Sequence, residues 1–302
     1  MTSYNTDGTV GPWAKEKLDC LSAWLDPYTT ILKNQSRWCE AYYYIDAFAG
    51  AGRAPLRQEL TGNPQQFLFD IPNFRNDQSE QVEYVDGSPI VALTLPNLFS
   101  RYIFVEKSQT RAEALRTLAQ SYSLLDRVEV HSDDANVVIE NQLLKAGINW
   151  RHNRGVVFLD PFGLQVPWRT IELIASTAAF EVMINFPVGM AIQRLLPQLG
   201  VSNAAHKAML DEYFGCGEWE DIVYERPDDL FNERTPRKYD DAGTRLVRWY
   251  SERLRSAFGY VSAPRLFTNS QGGHLYYLIH AGPNKTGSKI ANHVLKKGQL
   301  VR

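Results

Sequence analysis

The sequence predicts an α/β chain: a mostly parallel sheet with helices between its strands, a helical insertion, and an antiparallel hairpin near the C-terminus. Three observations predict it. From residue 42 to 187, strand-like apolar runs alternate with helix-like segments, the order that builds a parallel sheet. Gly155-Val-Val-Phe-Leu159 is apolar on both faces, as a strand in the middle of such a sheet must be. Ala263–Thr268 and His274–His280 flank Ser270-Gln-Gly-Gly273, which is a hairpin signal.

Composition narrows the function classes. With 302 residues, 44% of them hydrophobic, the chain can bury a large core. Its formal net charge of -2 carries no global field for nucleic acid, although local basic patches remain open. Cys20, Cys39 and Cys216 are scattered, the six histidines do not cluster, and there is no Cys-x-x-Cys. Neither a zinc site nor a disulfide framework is expected. No secretory signal or long apolar run is evident, so the expected location is the cytoplasm and no membrane partner is expected.

In chain order, residues 13–34 form a helix with Leu18, Leu21, Leu25, Ile31 and Leu32 on its apolar stripe and Lys15 and Lys17 on its polar side. Asp26-Pro27 marks a break or a second helix start. Tyr42–Ile45 is the first strand, and it runs into Asp46-Ala47-Phe48-Ala49-Gly50-Ala51-Gly52. Glycines directly after a strand let the backbone turn sharply and approach a ligand. A phosphate loop would not place a carboxylate at its mouth; Asp46 suits a cationic ligand instead, such as the aminopropyl group and sulfonium of S-adenosylmethionine. Residues 53–86 are irregular and sit beside this turn, as a lid or as a passive loop. The next helix starts at Ser88 as N-cap with Pro89 as its first residue.

Arg101–Val105 is the second strand and ends at Glu106-Lys107, where an acid hydrogen-bonds ribose hydroxyls in doubly wound folds. A helix spans 109–122, followed by the strand Arg127–His131. Asp134, before the helical run Ala135–Leu144, is placed to accept an adenine amine proton; Asp133 and Asp134 compete for the N-cap role. The fourth strand ends in Asp160-Pro161-Phe162-Gly163. After the helix Trp168–Thr177, the fifth strand, Phe180–Ile184, ends at Asn185-Phe186-Pro187. Residues 189–240 form a helical insertion at the ligand edge, suited to holding substrate or to plain packing. Residues 241–258 are a helix carrying Arg245, Arg248, Arg253 and Arg255, and 284–302 is a basic, partly helical tail.

Asp160-Pro161-Phe162-Gly163 has a clear chemical use. The Asp160 carboxylate and the Pro161 carbonyl both accept protons from an exocyclic amine, aiming its lone pair at a methyl carbon. Phe162 offers a face to a planar base, worth roughly 1–3 kcal/mol by stacking. Asn185 is a weaker candidate for a second acceptor contact.

Tyr-Ile-Asp-Ala-Phe-Ala-Gly-Ala-Gly, Gly-Ser-Pro, Phe-Val-Glu-Lys and Leu-Asp-Pro-Phe-Gly together resemble the three-Cys-motif partner proteins over about residues 13–297. The resemblance implies a Rossmann-like class I methyltransferase sheet and S-adenosylmethionine as cofactor. It also implies partnership with a genomically neighbouring three-cysteine-motif protein. It gives a cofactor set of Asp46, Ala47, Phe48, Gly50, Gly52, Glu106, Lys107, Asp134 and Ala135, and a catalytic set of Asp160, Pro161, Phe162 and Gly163. Asp-Pro-Phe-Gly also resembles the motif of enzymes that methylate the exocyclic amine of guanine in transfer RNA. It departs from the Asp-Pro-Pro-Tyr of adenine-N6 enzymes at Phe162 and Gly163, which counts against adenine specificity and leaves protein or small-molecule amines as alternative acceptors.

The expected division is an N-terminal helical segment (1–38), the sheet core (39–188), the insertion (189–240) and the completion of the core (241–302). The expected function is methyl transfer to an amine, most plausibly of an RNA or DNA base. The alternative is an S-adenosylmethionine-binding partner subunit without independent methyl transfer. A nicotinamide-dependent dehydrogenase is disfavoured, because Gly50-Ala-Gly52 lacks a third glycine and Asp46 would oppose a pyrophosphate.

Overall fold

The computed structural model describes residues 11–35, 37–55, 84–142, 146–201, 203–225, 236–296 and 299–300. The chain opens with α1 (Pro12–Lys33) and β1 (Ala41–Asp46), followed by the short antiparallel pair β2 (Arg53–Pro55) and β3 (Tyr84–Asp86). Next come α2 (Ser88–Leu93), β4 (Arg101–Val105), α3 (Gln109–Ser121), β5 (Val128–His131), α4 (Ala135–Glu140), β6 (Asn153–Leu159), α5 (Trp168–Ser176) and β7 (Phe180–Phe186). A π-helical turn (Val188–Ile192) leads into α6 (Gln193–Leu195), α7 (Ala204–Phe214), α8 (Trp219–Val223) and the ribbon β8 (Tyr224–Glu225) with β9 (Arg237–Lys238). The chain finishes with α9 (Ala242–Phe258), β10 (Tyr260–Val261), β11 (Arg265–Thr268), β12 (His274–Gly282), α10 (Lys285–Leu295) and β13 (Gln299–Leu300).

The main sheet has the order β13-β11-β12-β7-β6-β1-β4-β5, with β10 also paired to β12. Strands β5, β4, β1, β6 and β7 run parallel. β12 is antiparallel to both β7 and β11, so β11 points the same way as β7. Period-2 alternation sends each strand's side chains to two cores. Tyr44, Phe104, Phe158, Met183 and Leu278 face α1, α2, α3 and α10. Ile45, Val105, Leu159, Ile184 and Ile279 face α4, α5, α9 and the insertion.

Several expectations change. α1 runs unbroken through Pro27. An interior proline costs about 3 kcal/mol, but both halves are anchored: Trp24 and Leu25 are fully buried, and the Tyr28 hydroxyl donates to the Gly155 carbonyl at 3.0 Å. Gly87, not Ser88, is the N-cap of α2; Ser88 is the helix's first residue, with its hydroxyl near the Asp46 carboxylate. Asn185 lies within β7 rather than past its end. The insertion is not purely helical, since β8 and β9 form a ribbon in it. Its Leu210, Phe214 and Trp219 pack into the core beside Leu246 and Tyr250 of α9. Residues 56–83, the bulk of the stretch expected as lid or loop, lie outside the described residues. No helix among the described residues is long and apolar enough to cross a membrane.

Candidate functional site

Parallel strands put their C-terminal ends on one edge, and the sequence-predicted residues gather there. β1 lies between β6 and β4, so the loop after Asp46 is flanked by the ends that carry Asp160 and Glu106. The loop is tied to both neighbours: the Ala47 N–H donates to the Phe158 carbonyl at 3.1 Å and the Ala49 N–H to the Val105 carbonyl at 2.9 Å. Gly50 and Gly52 then take φ of +64° and +85°, in the left-handed region that favours glycine. Among the described residues, a Cβ on Gly50 would meet nothing within 4 Å, so the described structure is open over the loop there. A Cβ on Gly52 would come within 2.7 Å of Leu118 Cδ2, so Gly52 lets α3 pack close.

Asp46 is fully buried beneath this loop. The Phe48 N–H donates to its Oδ1 at 3.4 Å and the Tyr44 hydroxyl to its Oδ2 at 3.2 Å. Burial raises its pKa to about 7, and the charge on Asp160 adds to the rise, against the Ser88, Phe48 and Tyr44 donors. Asp46 has no exposed surface, and its bond from Phe48 ties the loop that follows it. Phe48 is half-buried above it.

Glu106, 7% exposed, accepts from the Ser108 N–H and from Arg111 Nη2, both at 2.7 Å. Both bonds reach Oε1. Lys107 beside it is exposed. Asp134, not Asp133, is the N-cap of α4: its Oδ1 accepts the Asn136 N–H at 2.9 Å. The exposed Asp133 accepts the Asp134 N–H at 2.7 Å. Ala135 is buried against the core as the first residue of α4.

Asp160 follows the end of β6. Asn185 Nδ2 donates to its Oδ1 at 2.7 Å, and Lys17 Nζ forms an ion pair with its Oδ2. Pro161 is buried, Gly163 is partly so, and Phe162 is 75% exposed, its ring open to solvent on this edge. The Phe162 N–H donates to Gln165 Oε1 at 3.0 Å, which shapes the turn. Asn185 Oδ1 is buried with no hydrogen-bond partner among the described residues. An orphaned buried acceptor costs about 1–3 kcal/mol, so a donor at this point would be stabilising.

Lys17 is the site residue that the sequence reading misplaced. It is not on a polar face: it is 9% exposed, with Nζ 5.3 Å from the centroid of the Tyr276 ring. Helical spacing carried the signal. Lys17, Leu21, Trp24 and Tyr28 recur at i, i+4, i+7 and i+11, one face of a 3.6-residue helix, so position rather than residue type put Lys17 in the core. Tyr276 carried no such signal, since only the fold brings β12 beside α1.

No family model matches the chain, and no curated protein matches it. Solved structures do. A protein from Legionella pneumophila superposes with a TM-score of 0.50 at 14% identity, covering 96% of this chain and 91% of the other. The O-methyltransferase TomG from Streptomyces achromogenes, in complex with S-adenosylmethionine, gives 0.43 at 15% identity over 92% and 83%. An O-methyltransferase from Bacillus cereus with S-adenosylhomocysteine gives 0.39 at 14% over 91% and 83%. With β12 inserted antiparallel between β7 and β11, the chain has a Rossmann-like class I methyltransferase fold.

Proposed function

We propose that the chain is an S-adenosylmethionine-dependent methyltransferase acting on an exocyclic amine of a nucleic-acid base. One juxtaposition carries the reading: Asp160, with the exposed ring of Phe162, stands at a strand end adjacent to the glycine loop after Asp46. The residues fit the cofactor. Among the described residues, space is open over Gly50, Glu106 keeps an oxygen for ribose, and the buried Asp46 meets neutral donors and Asp160 but no cation. Bound S-adenosylmethionine supplies an electrophilic methyl on a sulfonium. Asp46 and Glu106 would hold it, Asp134 would meet the adenine, and Asp160 with the Pro161 carbonyl would orient the acceptor nitrogen. Positioning of this kind supplies most of what such a transfer needs.

Calorimetry with S-adenosylmethionine and with NAD tests the cofactor, and only the first is expected to bind. Incubation with labelled S-adenosylmethionine and total RNA, DNA or protein tests the acceptor class. Asp160→Ala is expected to leave cofactor affinity within a few fold and to lower turnover by about 10²–10⁴. Full activity in that variant would reduce Asp-Pro-Phe-Gly to a turn.

A second reading rests on the ion pair of Lys17 with Asp160, which already engages the carboxylate. In it the chain binds the cofactor as partner subunit of a three-cysteine-motif protein, in line with the resemblance to the three-Cys-motif partner family. Methyl transfer seen only after the genomic neighbour is added would favour it.

A further inference from the structure

We propose that Lys17 determines acceptor specificity: its buried ammonium, paired with Asp160, admits a neutral conjugated amine and excludes an acceptor that carries its own positive charge. The inference rests on the methyl-transfer reading and concerns the same edge of the sheet.

The ammonium is fixed in place. α1 anchors it from within the core through Leu21 and Trp24, both fully buried. The Tyr276 ring lies beneath Nζ, and Asp160 takes its charge. Asn185 holds the other carboxylate oxygen at 2.7 Å. The trio is therefore close to neutral. Each carboxylate oxygen has two lone-pair sites, so Asp160 can still accept one amine proton. Asn185 Oδ1, buried and without a partner among the described residues, is a further acceptor within the trio.

A nitrogen bonded to Asp160 shares that carboxylate with Lys17 Nζ, which places the two nitrogens about 4 Å apart. Two positive charges at that separation in a partly buried site repel by an amount worth on the order of a thousandfold in affinity. Asp160 attracts the incoming charge, but Lys17 cancels most of that attraction, so the cost of desolvating a cation at this site goes uncompensated. An aliphatic amine, with a reference pKa of about 10.4, arrives protonated. It lacks both the lone pair for reaction and a counter-charge to receive it. The amine of a nucleobase is neutral, planar and able to lie on Phe162. During transfer its lone pair forms the N–C bond as the C–S bond breaks, and the sulfide leaves with that electron pair. The cationic nitrogen then passes its extra proton to Asp160 or to water. Lys17 thus leaves Asp160 free lone pairs for the amine proton while weakening its attraction for cations.

The test compares wild type, Lys17→Met, Lys17→Gln and Lys17→Arg, with the exposed Lys15→Met as control. Acceptors are a mixed-sequence RNA oligonucleotide, spermidine and a lysine-rich peptide. Transfer from labelled S-adenosylmethionine gives kcat and KM for each, and calorimetry in saturating S-adenosylhomocysteine gives acceptor affinity without turnover. Wild type, Lys15→Met and Lys17→Arg are expected to bind the RNA in preference to spermidine. Lys17→Met and Lys17→Gln are expected to gain tenfold or more in spermidine affinity and to lose tenfold or more in kcat/KM on RNA, with cofactor affinity within a few fold. If Lys17→Met melts without cooperativity, Lys17→Gln carries the comparison. Wild type that binds S-adenosylmethionine but methylates spermidine or the peptide overturns the inference and leaves the methyl-transfer reading standing. So does a folded Lys17 variant with no gain in spermidine affinity. Wild type that binds no S-adenosylmethionine removes both.

Discussion

Asp46 is a buried carboxylate whose pKa stands near 7 because water is kept from it and Asp160 is close. A carboxyl whose folded pKa lies above its unfolded value of 3.8 contributes stability that is fully present below 3.8. That stability is lost as pH rises toward 7. The span corresponds to roughly 4 kcal/mol as an upper bound. Asp46→Asn is therefore expected to melt higher than wild type at pH 8 and to lose that advantage toward pH 5. Thermal melts across that range check it, and a gap independent of pH would mean that Asp46 titrates as an exposed acid does. A cationic cofactor favours the ionised form, so affinity for S-adenosylmethionine should rise as pH passes through 7, and Asp46→Asn should flatten that rise. The two loop glycines divide stability from binding. Each pays for its left-handed backbone by about 1–2 kcal/mol when replaced by alanine. Gly52→Ala also drives a Cβ against Leu118, whereas Gly50→Ala projects into open space. Gly52→Ala should lower the melting temperature more, and Gly50→Ala should weaken cofactor binding more; the reverse pattern would remove Gly50 from the ligand surface.

At the scale of elements, α1 is part of the core and of the site at once. Trp24→Ala removes a fully buried ring between Tyr28 and His280 and is expected to cost about 3–5 kcal/mol, measured by denaturant unfolding. The sequence made α1 legible through Leu18, Leu21 and Leu25, but a lysine on the same stripe was assigned by its charge. Lys17 is tolerated there because Asp160, far away in sequence, compensates it, and no local pattern carries that information. α9 teaches the converse. Its four arginines read as a basic run in the sequence, but none of them is free of nearby partners. Arg245 pairs with Asp241 and Arg255 with Glu252, while Arg253 lies over the Trp168 ring and donates to the Phe214 carbonyl. If RNA or DNA binds, Arg245→Ala and Arg255→Ala should each change the slope of log affinity against log salt by less than about one. A larger change would put phosphates on this helix.

At the scale of the whole molecule, the strand–helix alternation and the acids at strand ends were visible because parallel sheets impose both on a sequence. The C-terminal hairpin was visible from Ser270-Gln-Gly-Gly273, but its place in the sheet was not, since pairing between distant strands leaves no local trace. β12 lies beside the central β7, with Tyr277 opposite Phe186 and Ala281 opposite Val182, and α10 then packs back against α1. Buried polar contacts join the two ends of the chain: Arg265 pairs with Glu16 and reaches Cys20 Sγ at 2.8 Å. His280 Nε2 lies 2.7 Å from Glu181 Oε2, and Trp24 packs edge-on to the His280 ring. Ending the chain at Ser262 would leave β7 with a bare edge, Glu181 buried without its histidine, and α1 without half of its partner surface. An unpaired buried charge and lost core packing each cost several kcal/mol, against a total stability of about 5–15. The segment from 263 onward is therefore expected to be required for folding, although the five parallel strands and the glycine loop all precede it. Limited proteolysis and circular dichroism of a 1–262 fragment should show no cooperative melt. Adding the 263–302 peptide in trans should restore at most partial structure. A 1–262 fragment that melts cooperatively and binds S-adenosylmethionine would show instead that the five parallel strands stand without the C-terminal hairpin, which is then an accessory.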